Sequence, residues 1–350
     1  MGSGRRLLRR GLTAVALTGA ACGLLQVPAS ASSGRSASAR VTVAFVGDIA
    51  LLGPAPGSLF AGVRGQLRRA DIAIGNLEGT LGSGGTSKCG KANPSCFAFQ
   101  SPPRSAALLR GAGFDDLNVA NNHAFDYGAS GQQQTLRALA RYRLHWSGRP
   151  GQVTVLRTHG VRVAVLGFAP YPWAQNLLDV AAAQSLVRRA TARADLVVAV
   201  LHAGAEGVAH QHVPYGTEYY LGENRGNERR FAHALVAAGA NLVVASGPHV
   251  LRGLQLFHET PIAYSLGNFA TAGHALATED ILGESAILLV TLGSDGKLIS
   301  GRLLPVRMVD GAPRRIYGTS DVIRRVNALS RADFGSSALL VSGKNALRIG

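Results

Sequence analysis

The sequence predicts an α/β fold in which a sheet is covered by helices, and three observations carry that reading. Runs at 41–46, 71–75, 196–201 and 242–245 are almost wholly apolar and lack the alternation of a half-exposed sheet, so both faces of these strands should be buried. Stretches at 104–112, 180–194 and about 226–238 have the composition or spacing of helices. Strand, loop and helix then recur in that order before the chain turns mostly to strand.

The elements follow in turn. Basic residues up to Arg10 precede an apolar stretch at 11–27, and Ala29-Ser30-Ala31 supplies a small-x-small cleavage site. Residues 1–31 therefore read as a signal peptide. Arg5-Arg6 leaves twin-arginine export open. Cys22 follows Gly19-Ala20-Ala21, a poor lipoprotein signal, so cleavage after Ala31 is preferred. Residues 32–40, rich in Ser, Ala and Arg, read as a linker. A main domain is expected over 41–310, with a tail at 311–350 that the sequence leaves unassigned. Inside the domain, a helix at 58–69 separates the first two strands, and a third strand is expected at 116–120. Gly128 then turns the chain into a helix, and a short strand closes near 146–148. A hairpin spans 153–169 with its turn at His159-Gly160, and later β-rich runs lie at 253–257, 261–264, 286–291 and 298–306. Beyond the leader, no run approaches the roughly 20 apolar residues of a membrane span.

The 350 residues carry a net charge of +16, and loss of Arg5, Arg6, Arg9 and Arg10 with the leader leaves about +12. Such a basic surface attracts polyanions, whether envelope polymers or anionic lipid headgroups, or is simply a solvated face. Nucleic acid is not the expected partner, because aromatics are only 6% and no arginine cluster interleaves with them. Cys89 and Cys96 remain after cleavage. In an oxidising compartment, two cysteines six residues apart in a Gly/Ser/Lys/Pro-rich loop read as a local disulfide.

Candidate chemistry gathers where strands end. Asp48, Glu78, Asn122, His123, His202 and His249 all fall at such ends, where active residues of helix-covered sheets collect. Carboxylate, amide and imidazole together form a mixed oxygen and nitrogen set suited to Zn, Mn or Fe. A carboxylate such as Glu78 could bridge two ions, and His123 beside Asn122 could protonate a leaving oxygen. Asp126, three residues on, either caps the following helix or orients His123.

The motifs Gly47-Asp48, Asn76-Leu77-Glu78, Asn121-Asn122-His123 with Asp126-Tyr127-Gly128, Leu201-His202 with Glu206, Pro248-His249-Val250-Leu251 and Tyr264-Ser265-Leu266-Gly267-Asn268-Phe269 resemble the capsule-synthesis CapA family, in its order, over roughly 41–272. The resemblance implies a calcineurin-like metallophosphatase fold, a four-layer α/β/β/α sandwich. It also implies a place in poly-γ-glutamate synthesis or export. Carried over by position, Asp48, Glu78, Asn122, His202 and His249 become metal ligands, and His123 a proton donor. Three departures stand out. Ala50 occupies a metal-histidine position, Gly247 replaces the first histidine of His-Pro-His, and Ala203 replaces a tryptophan. Three ligands remain for each ion: Asp48, Glu78 and His249 for one, and Glu78, Asn122 and His202 for the other. A one-metal or empty site is a further outcome. His210 and His212 could supply a compensating ligand, but they lie in an unassigned loop and read as exposed.

Two functions follow. One is an exported metal-dependent hydrolase acting on a phosphoester or amide of an anionic envelope polymer. The other is a non-catalytic accessory that holds a polyanion beside membrane-bound synthesis proteins, with a degenerate metal site.

Overall fold

The computed structural model describes residue 1 and residues 39–90, 96–318 and 320–349. The expected signal peptide beyond Met1, and the linker through residue 38, lie outside the described residues.

The strand Arg40–Leu51 is the axis of an eight-stranded sheet. Parallel strands Ile72–Leu77, Asp116–Asn118 and His145–Ser147 lie in order on one side of it. Antiparallel strands Glu284–Gly293, Leu298–Val309 and Ala312–Arg315 lie on the other. Arg40–Phe45 pair with Glu284–Gly293, but Asp48–Leu51 pair instead with the parallel strand Asn268–Ala272. Gly47 sits at this change of partner. A Cβ there would lie 1.8 Å from the Gly267 carbonyl oxygen, so only glycine allows the approach. Neighbouring strands that part company open a crevice beyond their carboxyl ends, and Asp48 stands at its floor.

A second, six-stranded sheet runs in the order Leu254–Phe257, Thr260–Ala263, Leu242–Ser246, Leu196–His202, Val161–Phe168, Thr154–Thr158. Its hairpin turns at His159 and Gly160, both at positive φ (48° and 76°), as a two-residue hairpin turn requires.

Three apolar layers make the four-layer sandwich. Val43, Phe45, Ile74, Val165, Val198 and Val244 fill the space between the two sheets. Leu109, Leu136 and Leu139, from helices Ser105–Ala112 and Gly128–Arg141, cover the outer face of the larger sheet with Ala44 and Leu117. Leu186, Val187, Phe231 and Leu235, from helices Val180–Thr191 and Glu228–Ala237, cover the smaller one. All seven residues of Leu196–His202 are buried, as the unbroken apolar run requires.

Some elements differ from expectation. The helix expected at 58–69 shrinks to Arg64–Leu67. Gly57, Gly62 and Gly65 weaken it, and the preceding turns close through short bonds such as Ala61 N–H to Ser58 O and Val63 N–H to Phe60 O. The third strand stops at Asn118, whose side chain bonds both the N–H and the C=O of Ala120 and pulls the chain out of the ladder. Residues 311–350 contribute the strand Ala312–Arg315, a helix Asp321–Phe334 whose Val322 and Val326 join the inter-sheet core, and a small hairpin, Leu339–Val341 with Leu347–Ile349.

Candidate metal centre

Five of the strand-end residues converge on one crevice above the inter-sheet core. Asp48 comes from the axis strand, and Glu78 from the loop one residue past Ile72–Leu77. His202 ends its strand in the smaller sheet, and His249 lies three residues beyond Leu242–Ser246. Asp48, Glu78 and His249 each offer a ligand atom within 4.8 Å of the others. His249 Nδ1 is 3.2 Å from Asp48 Oδ2, and its Nε2 is 3.7 Å from Glu78 Oε1 and 3.5 Å from Glu206 Oε2. His202 Nε2 lies 3.8 Å from Glu78 Oε1. Asn122 reaches the group from the other side, its amide 3.4 Å from Glu206 Oε1.

The atoms left without partners define the site. Both oxygens of Glu78, Nε2 of His202 and Oδ1 of Asn122 are buried and make no hydrogen bond. An unpartnered buried carboxylate is costly, and native proteins rarely leave one without a reason. These atoms are all lone-pair donors or can become so, and together they suit a divalent cation. The residues present therefore fit one.

Electrostatics agree. Burial, reinforced by the Asp48 charge, pushes the Glu78 carboxyl well above its usual range. Burial holds His202 down at about 3, so its ring is neutral, the form that binds metal. Burial works against the Asp48 charge, but the hydrogen bond from His249 and the charges of His202 and His249 keep its carboxyl below the usual range. Burial opposes the charge on His249 too, yet Glu78, Asp48 and Glu206 outweigh it and raise that imidazole well above normal.

Backbone and amides set the geometry. Gly247 N–H points at Asp48 Oδ2 from 3.3 Å, and His249 is held at φ 60°. Asn268 Oδ1 takes the Nδ1 proton of His249 at 2.8 Å, which leaves Nε2 to face the carboxylates. Asn76 donates to Asp48 Oδ1 at 2.7 Å and lies 3.2 Å from His202 Nδ1. Asn118 and Asn121 in turn donate to Asn76 Oδ1 at 2.9 and 3.1 Å.

His123 stands apart from this cluster, with Asp126. Its Nδ1 is 2.8 Å from Asp126 Oδ2, which also accepts the Phe99 N–H at 2.6 Å. Lys88 Nζ meets the other oxygen at 2.7 Å. Asp126 thus bonds His123, and no side chain caps the following helix. Burial lowers the His123 pKa despite Asp126, so the neutral ring donates from Nδ1 and keeps Nε2 for a substrate. Phe99 stacks on the imidazole with centroids 4.2 Å apart. Lys88 and Phe99 flank a disulfide joining Cys89 to Cys96.

The departures have physical counterparts. Ala50 is buried against Phe99 and Leu276, an apolar contact with no ligand. A Cβ at Gly247 would sit 2.6 Å from the Ala203 carbonyl oxygen at φ 120°, so this backbone has no room for a histidine. Neither His210 nor His212 joins the group of Asp48, Glu78 and His249 among the described residues; His212 is exposed and pairs with Asp333 at 2.7 Å. Sequence reasoning missed Arg225, almost fully buried, whose guanidinium donates to Glu206 at 2.8 Å. It also missed Lys88 and gave Asn76 no role. Arg225 lies in the short strand Glu223–Gly226, paired with Glu218–Tyr220, in a stretch that reads from sequence as a polar loop with no periodic signal.

The model of the family described as bacterial capsule synthesis protein PGA_cap matches residues 42–272. A protein of Bacillus anthracis called capsule biosynthesis protein CapA is 27% identical over 298 residues, 78% of this chain and 67% of that protein. The PGA biosynthesis protein CapA of Bacillus subtilis is 29% identical over 229 residues, 61% of this chain. The chain spans only 56% of that relative's length. Among solved structures, the 5'-nucleotidase precursor of Thermus thermophilus aligns with TM-score 0.46 and 13% identity, over 84% of this chain and 59% of that one.

Proposed function

Because the chain belongs to the family of bacterial capsule synthesis proteins, we propose that it is an exported, metal-dependent hydrolase acting on an amide or phosphoester of an anionic envelope polymer. The observation that carries this reading is the set of unpartnered buried atoms on Glu78, His202 and Asn122. Asp48, Glu78 and His249 would hold one Mn, Zn or Fe ion, and Glu78, Asn122 and His202 a second. A bound ion would supply an acidified water and charge stabilisation at the reacting oxygen. The chain's own residues do the rest. His123, oriented through Nδ1 by Asp126, presents the free lone pair of Nε2 to the reacting atoms, where it can take a proton from water and pass it to the leaving atom. Lys88 neutralises Asp126, so that carboxylate holds the ring without drawing its proton away. Asn268 fixes His249, and Arg225 fixes Glu206 at the rim. Export is supported by the disulfide and by the expected leader. No helix among the described residues is long and apolar enough to cross a membrane.

The test is metal content of residues 32–350 purified without chelator and then supplied with Mn, Zn or Fe. Metal that binds at one or two ions per chain, and is lost in Glu78→Ala, supports the hydrolase. No metal under any addition refutes it. Ala50 and the crowded Gly247 favour a second reading, a non-catalytic accessory that binds polyanions and works with membrane-bound synthesis proteins. A relative from Mycobacterium tuberculosis, 24% identical over 270 residues, is itself called a probable polyglutamine synthesis accessory protein. That reading predicts salt-sensitive polyglutamate binding by the metal-free protein.

A further inference from the structure

Two cavities meet at the candidate centre. One, of about 490 Å³, runs beneath the segment His274–Leu282 and is walled by Leu276, Ala277 and Thr278. The other, of about 420 Å³, runs toward Phe125, Trp173 and Leu221, with Lys88 and Arg225 in its wall. They share Phe97, His123, Glu206 and Tyr220 and no other lining residue, so the proton-donor candidate stands at their junction.

Each wall is bonded to the centre. On the first side Asn268, which holds His249, donates to the carbonyls of Ala277 and Leu282 at 3.1 and 3.3 Å. On the second, Trp173 Nε1 donates to the Asn121 carbonyl at 3.0 Å, inside the Asn121-Asn122-His123 motif. Trp173 is itself packed between Tyr171 and Phe125, with centroids 5.0 and 5.1 Å apart. Both arms are therefore rigid extensions of the site. Each cavity alone is large enough for a small ligand. A substrate with its scissile bond at one end needs only one of them, and gains nothing from a second cavity anchored as firmly at the same centre.

We infer that the two arms form one continuous cleft that takes a linear polymer across the centre, so that attack falls on internal bonds and not on chain ends. This rests on the polymer reading above. The second arm is not a simple anion trap, because Lys88 is paired with Asp126 and Arg225 with Glu206 and Glu223. Its contribution is an aromatic wall with balanced charge, which suits a chain of planar amides carrying well-spaced charges.

The experiment uses γ-linked glutamate oligomers of graded length, labelled at one end. Their affinity for the metal-loaded chain is measured by fluorescence anisotropy, and their products are sized over time. Affinity is expected to climb with length past the point where one arm is filled. Ala277→Trp in the first arm and Leu221→Asp in the second should each weaken binding of a long oligomer roughly tenfold, which is about 1.4 kcal/mol. Early products should be mid-length fragments. Release of single residues from one end, affinity that stops rising at one arm's length, or indifference to either variant overturns the cleft while leaving the hydrolase reading intact. Failure of every oligomer to bind overturns both the cleft and the polymer reading.

Discussion

Two buried charge clusters stand three residues apart in the sequence, at His249 and Arg252, and the second is much nearer to completion. Arg252 Nη1 reaches Glu228 at 2.7 Å and Glu218 at 3.0 Å, Nη2 reaches Glu218 at 2.6 Å, and Nε bonds the His210 carbonyl at 2.9 Å. Only Glu228 Oε1 lacks a partner there. The cluster of Asp48, Glu78, His202 and His249 instead leaves Glu78 without one hydrogen bond. A network that satisfies itself holds loops together. One that leaves a buried carboxylate without a hydrogen bond holds lone pairs that a cation or a proton can take up.

That contrast can be broken, and the largest effect should come from the more complete cluster. Arg252→Met strands two buried carboxylates and should cost about 3–5 kcal/mol of unfolding free energy. A denaturation midpoint equal to that of the parent protein would sink the structural role.

The next effect depends on pH. Burial pushes Glu228 up to about 8, against the pull of Arg252, so the folded chain binds this proton more tightly than the unfolded one. Its stabilising contribution is full below the unfolded value near 4.5 and is lost as pH climbs toward 8. Glu228→Gln should flatten the fall in stability over that window, by a few kcal/mol on the order expected for such a shift. Melting curves at pH 5 and pH 8 that shift in parallel for both proteins would refute it.

Backbone crowding at the site ranks third. Gly247→Ala drives a Cβ toward Ala203 at a left-handed φ and should cost about 1–3 kcal/mol. Thermal unfolding would show it, and an unchanged Tm would mean the crowding is relieved elsewhere.

The smallest effect has the opposite sign. Glu78→Gln removes a buried, unpartnered carboxylate and should leave the metal-free protein as stable as before or more so, by about 1 kcal/mol. The same change should abolish metal retention. Loss of stability in the metal-free state would place Glu78 with the structural cluster and erase the distinction between the two.

Much of this site is legible before folding because its members stand in or just beyond apolar runs, although only His202 ends its strand: Asp48 lies inside Arg40–Leu51 and the others in the loops that follow theirs. His202 and the Asn122-His123 pair sit where apolar runs stop, and Asp48 interrupts one between Val46 and Ile49, local signals that survive without coordinates. Arg225 and Lys88 carry no such mark. Lys88 comes from an irregular loop and Arg225 from a short polar strand, Glu223–Gly226, and both matter through partners far away in sequence, Glu206 nineteen residues back and Asp126 thirty-eight residues on. The strand Asn268–Ala272 escapes sequence reasoning for a related reason: its five residues mix polar and small side chains, and its pairing with Asp48–Leu51 is not written in either segment alone.

Residue order alone carries the apolar strands at the middle of both sheets, most of the helices and the chemical kind of residue beside them, because hydrophobic periodicity and residue type act over a few neighbours. Only the tertiary structure decided which of those residues face one another. It decided that Asn268 aims His249, that Gly247 has no room for a side chain, and that Glu78 is left wanting a partner. Those outcomes depend on the close passage of Gly47 against Gly267 and of Gly247 against Ala203, contacts between segments that share no local pattern.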